Sequence, residues 1–143
     1  MTVKAILSSK GHAVETIAPS ATLADAAKTL SARGIGAVVV TDPNGGIIGL
    51  LSERDIVRAT AERGAAALQQ TVDQVMTRRV ITCTEADTVG ALMEQMTNRK
   101  FRHLPVVEDG KLVGIISIGD VVKYRLGEME AETNAMREYI ATA

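Results

Sequence analysis

One stretch of this chain occurs twice, and that duplication limits the fold more than any other feature. Leu112-Val113-Gly114-Ile115-Ile116-Ser117-Ile118-Gly119-Asp120-Val121-Val122 has a counterpart 65 residues earlier, Ile47-Ile48-Gly49-Leu50-Leu51-Ser52-Glu53-Arg54-Asp55-Ile56-Val57. Gly49, Ser52 and Asp55 thus map onto Gly114, Ser117 and Asp120. Self-similarity at a fixed offset means one structural unit used twice. In each copy a short β-rich apolar run reads as a buried strand, and Ser-x-x-Asp before a new apolar periodicity is the signature of a capped helix start. Each copy therefore brings backbone N–H groups, a hydroxyl and a carboxylate to one helix N-terminus.

The repeat extends upstream. Val3, Ile6 and Leu7 have the spacing of one helical turn, repeated by Val72, Val75 and Met76 at an offset of 69. Val14-Glu15-Thr16-Ile17 alternates as a strand, and Val80-Ile81-Thr82-Cys83 repeats it at an offset of 66, which places three extra residues around Ser9 to His12. Thr22 with Asp25 is a capping pair for a helix whose apolar face is Leu23, Ala26, Ala27 and Leu30; the second copy has Val89, Leu92, Met93 and Met96 on the same face. Gly34 suits a left-handed helix stop, where the second copy reads Asn98-Arg99-Lys100-Phe101. Two further strands flank hairpin turns at Asp42-Pro43-Asn44-Gly45-Gly46 and Glu108-Asp109-Gly110-Lys111.

Each copy is thus β-α-β-β-α. The right-handed β-α-β crossover requires a parallel pair and the hairpin an antiparallel one, so the expected class is α/β (α+β), two tandem units with small mixed sheets packed about a pseudo-twofold axis. About 50 residues bury too little core alone, so the copies are expected to pack on each other. The boundaries expected are residues 1–64 for the first unit, 65–71 for a small-residue linker, 72–125 for the second unit and 126–143 for a helical tail. In that tail Val122, Leu126, Met129, Thr133, Met136 and Ile140 alternate steps of four and three, as a coiled-coil seam does.

Composition narrows the function. With 46% hydrophobic and 23% charged residues among 143, the chain suits a compact fold and not disorder. No uncharged run reaches the roughly 18 to 20 residues of a membrane helix, and the apolar start is too short for a signal peptide, so a soluble, cytoplasmic protein is expected. One cysteine excludes an internal disulfide and, with only His12 and His103 beside it, argues against a Cys/His metal site. A net charge of -1, with two Tyr, one Phe and no Trp, offers nucleic acid neither a basic footprint nor a stacking platform. Gly34-Ile35-Gly36 precedes a strand and has no third glycine, so it is not a dinucleotide fingerprint. There is no nucleophile-base pair and no phosphate-transfer loop. His103 has Ala37 as its counterpart, and Cys83 aligns with Ile17 as a small buried hydrophobe. No catalytic residue is assigned.

The duplicated stretches, together with Phe101-Arg102-His103-Leu104-Pro105-Val106-Val107 and Val75-Met76-Thr77, make the chain resemble a stand-alone pair of CBS domains, or Bateman module, from Val3 to Lys123. The resemblance implies a regulatory module without catalysis that binds an adenosine ligand (AMP, ADP, ATP, NAD(H) or S-adenosylmethionine) in clefts between the two units, forms a homodimer and modulates a partner protein. It implies that Asp55 and Asp120 bond ribose hydroxyls and that Ser52 and Ser117 meet phosphate at the helix start, where unpaired N–H groups favour an anion. Thr16, Ile17 and Ala18 with Ala37 and Val38, and Thr82, Cys83 and Thr84 with His103, Leu104 and Pro105, would face adenine. Arg33, Gly34, Gly36 and Ala37 correspond to Arg99, Lys100, Arg102 and His103, so the second copy has more phosphate partners. Glu53 adds a negative charge to the first site, partly offset by Arg54, where the second has Ile118. The competing reading is a structural dimerisation module with empty clefts.

Overall fold

In a computed structural model, which describes residues 1–142, the chain divides into two compact units. One is continuous, Ala13–Ile81; the other joins Met1–His12 to Thr82–Ala143. They are called here the Ser52 unit and the Ser117 unit.

The Ser52 unit contains β1 (Thr16–Ile17), α2 (Leu23–Arg33), β2 (Ala37–Thr41), β3 (Ile47–Ser52), α3 (Glu53–Arg63), a 3-10 turn (Gly64–Gln69) and the single-turn α4 (Val72–Val75); α1 (Val3–Lys10) precedes it in the chain. Its sheet has the order β1-β2-β3, parallel between the first two strands and antiparallel between the last two. This is the mixed three-stranded sheet that the β-α-β-β reading requires. Asp42 builds the hairpin turn by accepting from the N–H groups of Asn44 (2.9 Å) and Gly46 (2.8 Å). The core is made of Leu23, Ala26 and Leu30 from α2, Val38, Val40 and Leu51 from the sheet, and Ala59, Ala67, Val72 and Met76 from the segments after β3. Thr22 and Asp25 form the expected capping box, and Gly34 stops α2 in the left-handed region at φ 64°.

The Ser117 unit holds α1, α5 (Val89–Arg99), β4 (His103–Glu108), β5 (Lys111–Ser117) and α6 (Ile118–Thr142). β4 and β5 are antiparallel around a two-residue turn in which Asp109 and Gly110 both have positive φ. The strand expected at Val80–Cys83 shrinks to one residue: Cys83 alone bridges to Val106 in parallel. Its neighbours are bonded elsewhere, with the Val80 N–H turned back to the Arg78 carbonyl (3.1 Å) and the Thr84 N–H donating to the Asp87 carboxylate (2.8 Å). Val89, Leu92 and Met96 of α5 are buried as expected, with Leu104, Val106, Ile116 and Val121.

The two short lead-in helices are exchanged between the repeats. α1 belongs to the first repeat in sequence but docks ahead of α5, its Val3 and Lys4 N–H groups donating to the carbonyls of Asp87 (2.8 Å) and Glu85 (3.0 Å). α4 does the same ahead of α2, with Val72 and Asp73 donating to Ala21 (2.8 Å) and Pro19 (3.0 Å). Both use the unpaired donors of a helix N-terminus. The duplicated glycines exist for these dockings: a Cβ on Gly114 would lie 2.6 Å from Leu7 Cδ2, and one on Gly49 would overlap Met76 Sδ. The compact units therefore differ from the sequence repeats, and the division at 1–64 and 72–125 describes the repeats only. The stretch 65–71 is likewise packed structure, since Ala67 is fully buried in the core. The expected tail is continuous with α6, one helix of 25 residues.

Candidate functional site

In each unit the end of a strand, the start of a helix and the start of the neighbouring strand are tied together by the same bonds. Ala37 lies opposite Ser52 and His103 opposite Ser117 in the antiparallel ladders. The Glu53 N–H donates to the Gly36 carbonyl (2.9 Å), and the Ile118 N–H to that of Arg102 (2.8 Å). Residues expected at one site, 37–38 with 52–55 and 103–105 with 117–120, are thus neighbours within their own units. β1 adds Thr16 and Ile17 one strand further, paired with Val39 and Val40.

Both Ser-x-x-Asp motifs form reciprocal caps. The Asp55 N–H donates to Ser52 Oγ (3.3 Å), while Asp55 Oδ2 accepts from the Ser52 N–H (2.9 Å) and hydroxyl (3.1 Å). The Asp120 N–H donates to Ser117 Oγ (3.1 Å), and Asp120 Oδ2 accepts from the Ser117 N–H (3.0 Å). The cap aims each carboxylate at the positive end of a helix, where it is stabilised. Asp55 is the one charged residue among the buried ones described, 7% exposed.

The surroundings of the two carboxylates differ in a way sequence reasoning missed. Lys10 Nζ, from the last turn of α1, lies 2.6 Å from Asp120 Oδ2 and donates to the Ile115 carbonyl at 2.9 Å. Burial pushes the Asp120 carboxyl up, but the Lys10 bond and those from Ser117 outweigh it, so it titrates below its ordinary value. Asp55 has instead Arg58, 3.6 Å away on the next turn and mostly exposed. The signal for Lys10 was present as the three extra residues near Ser9–His12: α1 is 8 residues long and α4 only 4, so the first lead-in has the turn that carries the lysine.

Other expected residues divide by exposure. Arg54, Lys100 and Arg102 are exposed, His103 and Ile118 lie at the strand and helix starts, and Arg33 is held by Glu15 at 3.0 Å. Ala37, Val38, Leu104 and Pro105 are buried, so their side chains belong to the core. Thr82 and Thr84 are exposed on either side of Cys83. Cys83 gives both backbone groups to β4, its N–H to Pro105 (3.0 Å) and its carbonyl to Val107 (2.9 Å). Burial, and then the charge of Asp87, push its thiol up to about 12, so it is an inert core residue. Lys100 takes the left-handed conformation (φ 58°) that Gly34 takes in the other unit. Among the described residues no group of His, Cys, Asp and Glu could hold a metal, and no helix is long and apolar enough to cross a membrane.

The family profile described as CBS domain matches residues 3–62 and 72–127. A CBS-domain containing protein of Agrobacterium tumefaciens has a similar crystal structure, with TM-score 0.85 and 52% identity over 87% of this chain and 99% of that one. The CBS domain pair of protein MJ0100, crystallised in complex with 5-methylthioadenosine and S-adenosyl-L-methionine, is 28% identical with TM-score 0.79, over 90% of this chain and 98% of that one. The mitochondrial CBS domain-containing protein CBSX3 of Arabidopsis thaliana is 31% identical over 97% of this chain and 71% of its own length. The chain spans 66% of another curated relative and 22% of a third. With both repeats matched and the mixed α/β units in place, this chain belongs to the CBS domain family and carries two copies of the domain.

Proposed function

We propose that the chain is a regulatory module that binds an adenosine-containing ligand, with AMP, ADP, ATP and NAD(H) as the candidates, and thereby modulates a partner protein without catalysing a reaction. The observation that carries this reading is the pair of carboxylates, Asp55 and Asp120, each fixed by a reciprocal cap beside the start of the neighbouring strand. A fixed carboxylate accepts from two vicinal hydroxyls at little further ordering cost, and the helix start beside it favours a phosphate. The adenosine ligands in the crystal structure of the MJ0100 pair support the same ligand class. In this reading Ser52 and Ser117 meet phosphate together with Arg54, Lys100 and Arg102, while Thr16, Ile17, Thr82, Thr84 and the backbone near Ala37 and His103 approach the base. A thermal-shift panel tests it. A ligand at 100 times its dissociation constant adds roughly 2.7 kcal/mol to the native state, so adenosine nucleotides raise the melting temperature and guanosine or cytidine nucleotides raise it less. Equal shifts with AMP, GMP and CMP, or no shift with any adenosine ligand, overturn the proposal in favour of a structural dimerisation module.

Self-association belongs to the proposal on separate grounds. Val122, Leu126, Met129, Met136 and Ile140 are exposed along α6, with Thr133 in the same line. Steps of four and three place them on one seam, the pattern by which helices pair, and a second copy of α6 would cover it.

A further inference from the structure

Lys10 distinguishes the two carboxylates. It reaches Asp120 from a segment 110 residues away in sequence, at 2.6 Å, and its second bond, to the Ile115 carbonyl, fixes the ammonium against β5, two residues before Ser117. The Lys10 side chain is only 29% exposed, so this cation is better shielded from solvent than Arg58, which is 66% exposed and 3.6 Å from Asp55. Asp120 Oδ2 already accepts from the Ser117 N–H, so the ammonium completes an internal set of donors on that oxygen. A neutral diol then meets a carboxylate whose charge is balanced, and a hydroxyl is a weaker donor to it than an ammonium. A ligand that also carries a phosphate meets something different: an ammonium beside the helix start, able to bridge carboxylate and phosphate. Without Lys10 the same carboxylate would repel that phosphate.

We propose that Lys10 is a specificity-determining residue of the Ser117/Asp120 site, selecting phosphate-bearing ligands over uncharged nucleosides, while the lead-in helix of the Ser52 unit brings no such cation onto Asp55. The proposal rests on the adenosine-binding reading above and adds to it which ligands the second site refuses. α4, one turn long, ends at Val75, and Arg78 beyond it is turned back to the Asp73 carbonyl (2.9 Å), so the exchanged lead-in of the Ser52 unit supplies no equivalent bond.

Calorimetric titration of AMP and adenosine, in an Asp55→Asn background so that heat reports on Asp120, decides it. Lys10→Met is expected to lower the preference for AMP over adenosine roughly tenfold, a change of about 1.4 kcal/mol, with adenosine binding strengthened and AMP binding weakened. Lys10→Arg keeps the charge and is expected to retain most of the preference, which a purely structural contact would not explain. In the reverse background, Asp120→Asn, Lys10→Met leaves the preference unchanged. Binding of both ligands with an unaltered ratio in Lys10→Met overturns the proposal while leaving nucleotide binding intact. Absence of binding in the parent protein and in Lys10→Met alike overturns both readings.

Discussion

At the scale of single residues, the ion pair of Lys10 and Asp120 and the backbone of Lys100 carry consequences for stability. The folded Asp120 carboxyl titrates below its unfolded value, so the native state favours the ionised form. The stabilisation is therefore present above the unfolded pKa, near the ordinary aspartate value of 3.8, and is lost as pH falls through the lower folded pKa. Lys10→Met is expected to lower stability by about 1 kcal/mol at neutral pH, the upper end for partly exposed pairs, and by progressively less in acid, as pH falls through the lowered pKa of the folded carboxyl. Urea melts of both proteins at neutral and acid pH check this; a constant difference would assign the loss to packing. Lys100 occupies a left-handed conformation that costs a side-chain-bearing residue about 1 kcal/mol, and a glycine nothing comparable. Lys100→Gly should therefore raise stability by about that amount in the same melts, and an unchanged or lower midpoint would show that the lysine side chain makes a compensating contact. Both caps were legible in the sequence because Ser-x-x-Asp is local. The extra turn that carries Lys10 was legible as an insertion, but its partner was not, because Asp120 lies in the other repeat and nothing in the spacing of Ile6, Leu7 and Lys10 says which copy the helix joins.

Secondary-structure elements show the same division between local and long-range information. The hairpins, the mixed sheet of the Ser52 unit and the buried faces of α2 and α5 came from turn chemistry and periodicity. The exchange of α1 and α4 did not, since two copies of one docking surface are interchangeable at the level of pattern. At 65–71, read from composition as a small-residue linker, the small side chains let the backbone pack closely, with Ala67 in the core. Val80–Cys83 is the counterpart of the alternating Val14–Ile17, yet a turn at Arg78 and the Asp87 side chain claim its ends. α6 continues from the Asp120 cap through the exposed seam without a break, despite Gly127. Removal of residues 126–143 is accordingly expected to weaken self-association by at least tenfold in dissociation constant, about 1.4 kcal/mol, as measured by light scattering across a dilution series. A full-length chain that is monomeric at micromolar concentration, or a truncated one that dimerises equally well, would contradict a role for the seam.

For the whole molecule, duplication provides two copies of one candidate site built from local bonds and made unequal by one extra helical turn. If the proposed adenosine site is right, the choice of ligand is expected to fall to the residues in which the repeats differ, Lys10, Arg54, Lys100, Arg102 and His103. The central claim is that the capped carboxylates hold the ligand's ribose. Titration of AMP into the full chain and into the Asp55→Asn/Asp120→Asn double variant, with circular dichroism to confirm that the variant is folded, tests it most directly. Bonds to a charged group contribute about 1.5 to 3 kcal/mol, so affinity should fall by roughly 10- to 150-fold at each site. Unchanged AMP affinity in the folded double variant would contradict the account.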